Sequence, residues 1–206
     1  SIADDAEHGF SDAAKANEVK LDAWQATFEM YQASFAENAQ ELQRRYQGKL
    51  AENLVDALPK FTIGQDKDLA TRKFSEQCIN AVAPLLPEWM GGSADLTPSN
   101  CTRPKNAIDY QQATPHGKYI RFGVREHAMA AICNGLFAYG GMRPYCATLL
   151  TLFGYCVGAI RLSALSKFGV MYIFTHDSIG LGEDGPTHQP IEALENLRNM
   201  PNINAF

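Results

Sequence analysis

The stretch VMYIFTHDSIGLGEDGPTHQPIE, residues 170–192, joins an apolar run to a loop dense in chemically active side chains. Val170–Phe174 reads as a short buried strand, and Pro190 suits the first position of a helix continuing through Glu195 and Leu197. His176 is thereby placed at a strand's C-terminal end. In open parallel sheets ligands bind in the crevice beyond those ends, so a polar loop starting there is where a substrate is expected. Between Thr175 and Glu192 lie two histidines, four acidic residues and three glycines, a density that packing does not require. Gly180, Gly182 and Gly185 allow tight turns and close approach of backbone to a ligand. A solvated surface connection, or a metal site built from His176, Asp184 and His188, explains the loop less well. Zinc sites favour Cys or His at tighter spacing, and one loop rarely supplies a complete ligand set. From its residues alone the loop specifies a polar ligand, with histidine available for proton transfer or hydrogen bonding.

Working outward, two more blocks repeat the pattern. GGSADLTPSN, residues 91–100, follows a stretch from Arg72 to Leu86 with helical apolar spacing at Phe74, Cys78, Ile79, Val82 and Leu85, limited by Pro87. Gly91, Gly92 and Ser93 can bring backbone near a ligand, and Asp95, Thr97, Ser99 and Asn100 offer hydrogen-bonding groups. Taken alone, the block is better explained as a turn whose polar side chains bond their own backbone. KYIRFGVREHAMAAICNGLFAYGG, residues 118–141, alternates like a strand over Tyr119–Val124 and then turns Ala-rich and helical until Gly140 and Gly141. Glu126 falls at that junction. An acid in a helix's first turn complements the helix dipole, yet its place is once more beyond a strand's C-terminal end. Leu149–Leu165 reads as an apolar core helix.

In these blocks the chain closely resembles transketolases, thiamin diphosphate enzymes. The resemblance runs from about Arg72 through GGSADLTPSN, GVREHAM and RLSALS (residues 161–166) to THDSIGLGEDGPTHQPIE, in family order. More weakly it extends back over Asp22–Pro59, similar to the segment joining the family's first and second domains. It implies an α/β fold with a doubly wound, mainly parallel sheet and flanking helices: a helical segment and linker over 1–71, then a pyrimidine-binding domain over 72–206. It also implies roles. Glu126 matches the glutamate that hydrogen-bonds the cofactor's aminopyrimidine ring and promotes its imino tautomer. His188 is similar to the histidine beside the donor sugar's reacting carbon, and Asp184 to the aspartate that bonds a substrate hydroxyl. Arg72, Ser99 and His176 match a sugar-phosphate cradle, chemically sensible because guanidinium makes bidentate, charge-assisted bonds to phosphate. Asp95 resembles an aspartate near the cofactor.

One departure concerns the cofactor's ring. The family usually has phenylalanines where this chain has Leu149 and Leu152, the second stacking on the aminopyrimidine; here the nearby aromatic is Phe153. In a helix one position is about 100° of rotation. Either Leu152 packs against the ring or the backbone shifts locally, and Tyr155 keeps the family pattern.

The resemblance further implies reversible transfer of a two-carbon ketol unit between sugar phosphates of the xylulose 5-phosphate and ribose 5-phosphate type. It implies a homodimer, and Mg2+ or Ca2+ held by ligands of the family's first domain. A dihydroxyacetone synthase-like enzyme, or a non-catalytic domain that keeps the fold, are the alternatives. With 206 residues the chain has room for one ordinary domain and a segment. It is therefore expected to be a fragment, cut short in its last domain and inactive alone. A net charge of −5 offers no basic patch for nucleic acid, and no apolar run approaches the roughly 20 residues of a membrane helix. Five cysteines without CxxC spacing suit an intracellular protein of cytosol or plastid. Ala13–Tyr46 reads as a long amphipathic helix broken near Ala36, its stripe of Leu21, Trp24, Phe28, Tyr31 and Phe35 a packing face. Lys49–Thr71 reads as a surface linker.

Overall fold

The computed structural model describes residues 4–206; the first three residues of the expected leading segment lie outside that range. The chain forms two compact units, one ending at Lys49 and one running from Leu50 to Phe206. In the first, helix α1 (Asp4–Ser34) is followed by α2 (Ala36–Tyr46), interrupted at Phe35, whose φ of −138° and ψ of 58° leave the helical region. The aromatic stripe forms a run along α1. Trp24 stacks on Phe28 at 5.3 Å between ring centroids, and Tyr31 meets Phe35 at 5.2 Å. Trp24 and Phe35 nevertheless remain about half exposed. In α2, Glu41 binds both Arg44 and Arg45 at 2.8 Å, one turn away.

The second unit is a four-stranded, wholly parallel sheet in the order β2-β1-β3-β4, with β1 Trp89–Ser93, β2 Tyr119–Arg121, β3 Arg143–Leu149 and β4 Met171–Thr175. Helix α3 (Thr71–Val82) precedes β1, the short α4 (Thr97–Asn100) follows it, and α5 (Glu126–Tyr139) joins β2 to β3. Helix α6 (Val157–Leu165) joins β3 to β4, and α7 (Ala193–Arg198) follows β4. Strand periodicity sorts the core into two layers. Tyr145 and Ile173 pack with Ile79, Val82, Leu86 and Trp89 on the α3 side. Cys146, Tyr172 and Phe174 turn to the other face, against Met129, Ala130 and Cys133 of α5, Ala159 and Ile160 of α6, and Ala193 and Leu197 of α7. This is a doubly wound sheet. From β1 the chain steps outward to β2, then crosses back to β3 and on to β4, so the direction of winding reverses where β1 and β3 adjoin. The stretch expected to be a linker packs in part: Leu54 joins the α3-side cluster, and Phe61 meets Phe74 edge-on at 4.6 Å.

Several expectations are corrected. Gly91 and Gly92 do not approach a ligand but lie inside the fully buried β1. A Cβ on either would fall within 2 Å of a carbonyl oxygen, that of Tyr145 or Ile120 respectively. Glycine's weak strand tendency hid this strand, whose identity comes from neighbours on both sides. Strand β3 lies where the sequence shows no strand pattern, and Leu149 ends it instead of starting a helix. A 3₁₀ segment, Leu150–Tyr155, intervenes before α6. Pro190 does not open α7. The chain makes a 3₁₀ turn over Pro186–His188, passes Gln189 in extended conformation, and becomes helical only after Glu192, whose carbonyl accepts the Asn196 N–H.

Candidate active site

All four strands end at one edge of the sheet, and each ending leads directly to a residue singled out from the sequence. Asp95 lies two residues beyond β1 and Glu126 five beyond β2. Leu152 lies three beyond β3, and His176 immediately follows β4. The register puts Ser93 level with Arg121 and Ala147, and Thr175 level with Leu149. This edge includes the point where β1 and β3 adjoin and the winding reverses, the place where open α/β sheets bind ligands. Arg72 belongs to the same side. Ile79 and Val82, farther along α3, pack beside Trp89 at the start of β1, so the first turn of α3 lies toward the edge where the strands end.

Glu126 is the first residue of α5 and is 8% exposed. Among the described residues its carboxylate makes no hydrogen bond or ion pair. Its charge reaches Cys156, whose thiol is pushed up to about 12, chiefly by burial and secondarily by that carboxylate. The positive end of the helix dipole favours a carboxylate at this position. Its oxygens, unbonded among the described residues, can accept a hydrogen bond from a ligand.

His176 stands at the end of a buried polar chain. The Leu96 N–H donates to Ser93 Oγ at 3.1 Å, and Ser93 Oγ donates to Asn100 Oδ1 at 2.7 Å. Asn100 Nδ2 donates to Thr175 Oγ1 at 2.7 Å, which lies 2.9 Å from His176 Nδ1. Ser93 and Asn100 are 1% exposed and Thr175 7%, while the His176 side takes a left-handed backbone (φ 57°) and is partly open to solvent. Asp95 shares the left-handed conformation, φ 62°, and is exposed at the turn into α4. Ser99, on α4, is partly exposed. Ser93 and Asn100 are expected near a ligand from the sequence, but their bonding to each other and to Thr175 beside His176 is not. A hydroxyl directly before a histidine at a strand end was the available signal, and the residue completing it is 75 positions away.

In the loop after β4, Gly185 alone of the three glycines uses positive φ, 69°. Gln189 Nε2 donates to the Leu181 carbonyl at 2.8 Å and closes the loop's base. Asp184 and His188 are partly buried, and His188 Nδ1 lies 3.0 Å from Thr187 Oγ1. No hydrogen bond or ion pair joins Glu126, Asp184 and His188 to one another among the described residues, and no group of three His, Cys, Asp or Glu there could hold a metal ion. Phe153 is 2% exposed and meets Phe174 edge-on at 6.0 Å, buried in the core with Ile160 and Leu197. Successive 3₁₀ residues differ by about 120°, and Leu152 accordingly stays partly exposed while Tyr155 is 70% exposed.

A parallel sheet with helices on both faces, carrying a carboxylate and an anchored histidine at its strand ends, is a domain of the open-sheet α/β class. Its family follows from comparison. Residues 67–206 match the family model described as "Transketolase, pyrimidine binding domain", and the chain belongs to the transketolase family. It is 51% identical over 189 residues to "Transketolase 2" of Saccharomyces cerevisiae, covering 89% of this chain and 28% of that protein. It is 50% identical over 184 residues to "Transketolase-1, chloroplastic" of Arabidopsis thaliana, covering 89% of this chain and 25% of that one. The crystal structure of a Pichia stipitis transketolase in complex with sedoheptulose-7-phosphate superposes with a TM-score of 0.92 at 46% identity, covering 98% of this chain and 31% of that chain. The chain thus spans about a quarter to a third of these relatives. Among the described residues no helix is long and apolar enough to cross a membrane.

Proposed function

We propose that this chain is the pyrimidine-binding part of a thiamin diphosphate-dependent transketolase, a transferase that moves a two-carbon ketol unit reversibly from a ketose phosphate to an aldose phosphate. The observation that carries the reading is Glu126. A buried carboxylate with no partner, at the strand-end edge of a transketolase-family domain, fits a nitrogen heterocycle that supplies the missing donor. Thiamin diphosphate, when bound, provides the electron sink for cleaving and re-forming a carbon–carbon bond beside a ketone. The residues of this chain bind, orient and move protons. Glu126 holds or shares a proton at a ring nitrogen, Leu152 offers an apolar surface, and Asp95 and Tyr155 lie at the margin of the same site.

His188 orients and exchanges a proton with the donor sugar near its reacting carbon, and Asp184 accepts a hydrogen bond from a sugar hydroxyl. Arg72, Ser99 and His176 hold the sugar phosphate through charge-assisted and neutral hydrogen bonds. A Mg2+ or Ca2+ ion binds the diphosphate through residues outside this set. The chain acts within a homodimer, and the exposed α5 surface of Ala128, Ala131, Ile132, Gly135 and Tyr139 supports that reading. Substrates of the xylulose 5-phosphate and ribose 5-phosphate kind place it in the pentose phosphate pathway. The segment over 1–71 serves as interdomain connection to the domain over 72–206. Its five free cysteines suit a reducing compartment, cytosol or plastid. The test is ketol transfer by the full-length protein with and without added thiamin diphosphate. Cofactor-dependent transfer is expected, and its absence in a folded protein would overturn the proposal.

A further inference from the structure

We infer that Asn100 and Thr175 are positioning residues that fix the tautomer of His176, so that Nε2 carries the proton and serves as donor to an anionic oxygen. The inference rests on the reading of His176 as a phosphate-binding group and deepens it.

The argument is a count of protons. At the start of the chain the donor is unambiguous, because the Leu96 backbone N–H can only donate and Ser93 Oγ, 3.1 Å away, accepts. The Ser93 hydroxyl proton then needs an acceptor, and Asn100 Oδ1 lies at 2.7 Å. With its oxygen so used, Asn100 turns Nδ2 to Thr175 Oγ1 at 2.7 Å, and Thr175 accepts. The Thr175 hydroxyl is left with one proton to place, and His176 Nδ1 is 2.9 Å away. Nδ1 must therefore present its lone pair, and the proton of the neutral ring resides on Nε2. Reversing the Asn100 amide would face its NH2 group toward Ser93 and strip the Ser93 hydroxyl proton of that acceptor. With Ser93 and Asn100 both 1% exposed, no bulk water would compensate.

Placement adds to the direction. Ser93 is the last residue of β1, Asn100 ends α4, and Thr175 is the last residue of β4. The chain thus ties the histidine to two strands of the sheet and to the α4 turn that carries Ser99. It also restrains His176 in a left-handed backbone conformation (φ 57°) that few non-glycine residues adopt. His188 offers a contrast. Its Nδ1 also meets the preceding threonine, Thr187, at 3.0 Å, but Thr187 is exposed and among the described residues has no second partner to set the direction of that bond. One histidine is fixed as a donor, and the other is left free to exchange a proton.

The experiment uses the full-length enzyme labelled with 13C and 15N in histidine, read by NMR at a pH where the ring is neutral. The expected result is the Nε2–H form of His176 in the unaltered protein and loss of that preference in Thr175→Val. An Nδ1–H ring in the unaltered protein, a result that requires no variant to fold, would overturn the inference. So would a preference indifferent to Thr175→Val. Kinetics supply the second arm. Thr175→Val should raise KM for a phosphorylated donor by about three- to tenfold, the scale of one hydrogen bond, and change an unphosphorylated donor little. Thr175→Ser, which retains the hydroxyl, should restore the phosphorylated donor's KM. Equal losses with both donors, unrelieved by serine, would mark Thr175 as merely structural and overturn it as well. If His176→Ala leaves the phosphorylated donor's KM unchanged, the phosphate reading fails, while the tautomer measurement still decides the positioning claim.

Discussion

Replacing Glu126 with glutamine separates its two possible duties, because they differ in size. As the first residue of α5 the carboxylate gains about 0.3–1 kcal/mol from the helix dipole. Among the described residues it makes no hydrogen bond or ion pair that glutamine would lose. Glutamine keeps the shape and removes the charge. Glu126→Gln should therefore change the stability of the cofactor-free enzyme by no more than about 1 kcal/mol. Catalysis should respond far more strongly. Loss of a positioned proton-sharing group slows the step it serves by roughly 10² to 10⁴, equivalent to about 3–5 kcal/mol of barrier. The assay is hydrogen–deuterium exchange at C2 of bound thiamin diphosphate in the full-length enzyme, run beside a melt of the cofactor-free protein. Slow exchange with a nearly unchanged melting temperature is expected. A lowered melting temperature with exchange unchanged would mean that Glu126 serves only the helix start, and the proposed assignment would be wrong.

Arg72→Ala in the full-length enzyme should raise KM for phosphorylated donors far more than it lowers turnover, since phosphate bonds are made in ground and transition states alike. A matching loss with unphosphorylated donors would remove Arg72 from the cradle. Thiol mapping of the native protein at pH 8 should label Cys78, which is partly exposed, and spare Cys156, whose proton is held to about 12 by burial, and the free but buried Cys133 and Cys146. Rapid native labelling of Cys156 would contradict the packing described. Acid should weaken α2. Arg44 first, then Arg45, hold Glu41 down from 4.5 to about 2, so the unfolded chain takes up that proton first. The pair's contribution is full above the ordinary value, declines as pH falls, and is gone below about 2. Because Glu41 is about one-third exposed, its effect should be only a few tenths of a kcal/mol. Helicity measured by circular dichroism should show this acid step, and Glu41→Gln should flatten it.

Local chemistry made much of this protein legible before any coordinates. The strand at 170–174, the helix after Glu126 and the helical spacing from Arg72 each have a period written in consecutive residues, and the structure places them within a residue or two. Blocks such as GGSADLTPSN and THDSIGLGEDGPTHQPIE carried the family because they keep its residues in its order. What sequence could not supply was anything decided by distant neighbours. Gly91 and Gly92 looked like a turn because glycine has no strand preference of its own, and only the carbonyls of Ile120 and Tyr145 on either side make a buried strand of them. One position of helical rotation already sets Phe153 apart from the ring-stacking position in the sequence, but that it turns toward Phe174 in the core is decided by the 3₁₀ segment. Asn100 reads as a hydrogen-bonding group of one block and Thr175 as the start of another, 75 positions apart, and only the fold brings them to 2.7 Å in the buried run from Ser93 to His176. Periodicity and composition are properties of neighbours along the chain, so the sequence determined the elements and the family. Burial and hydrogen-bond direction are properties of neighbours in space, and the tertiary structure alone decided them.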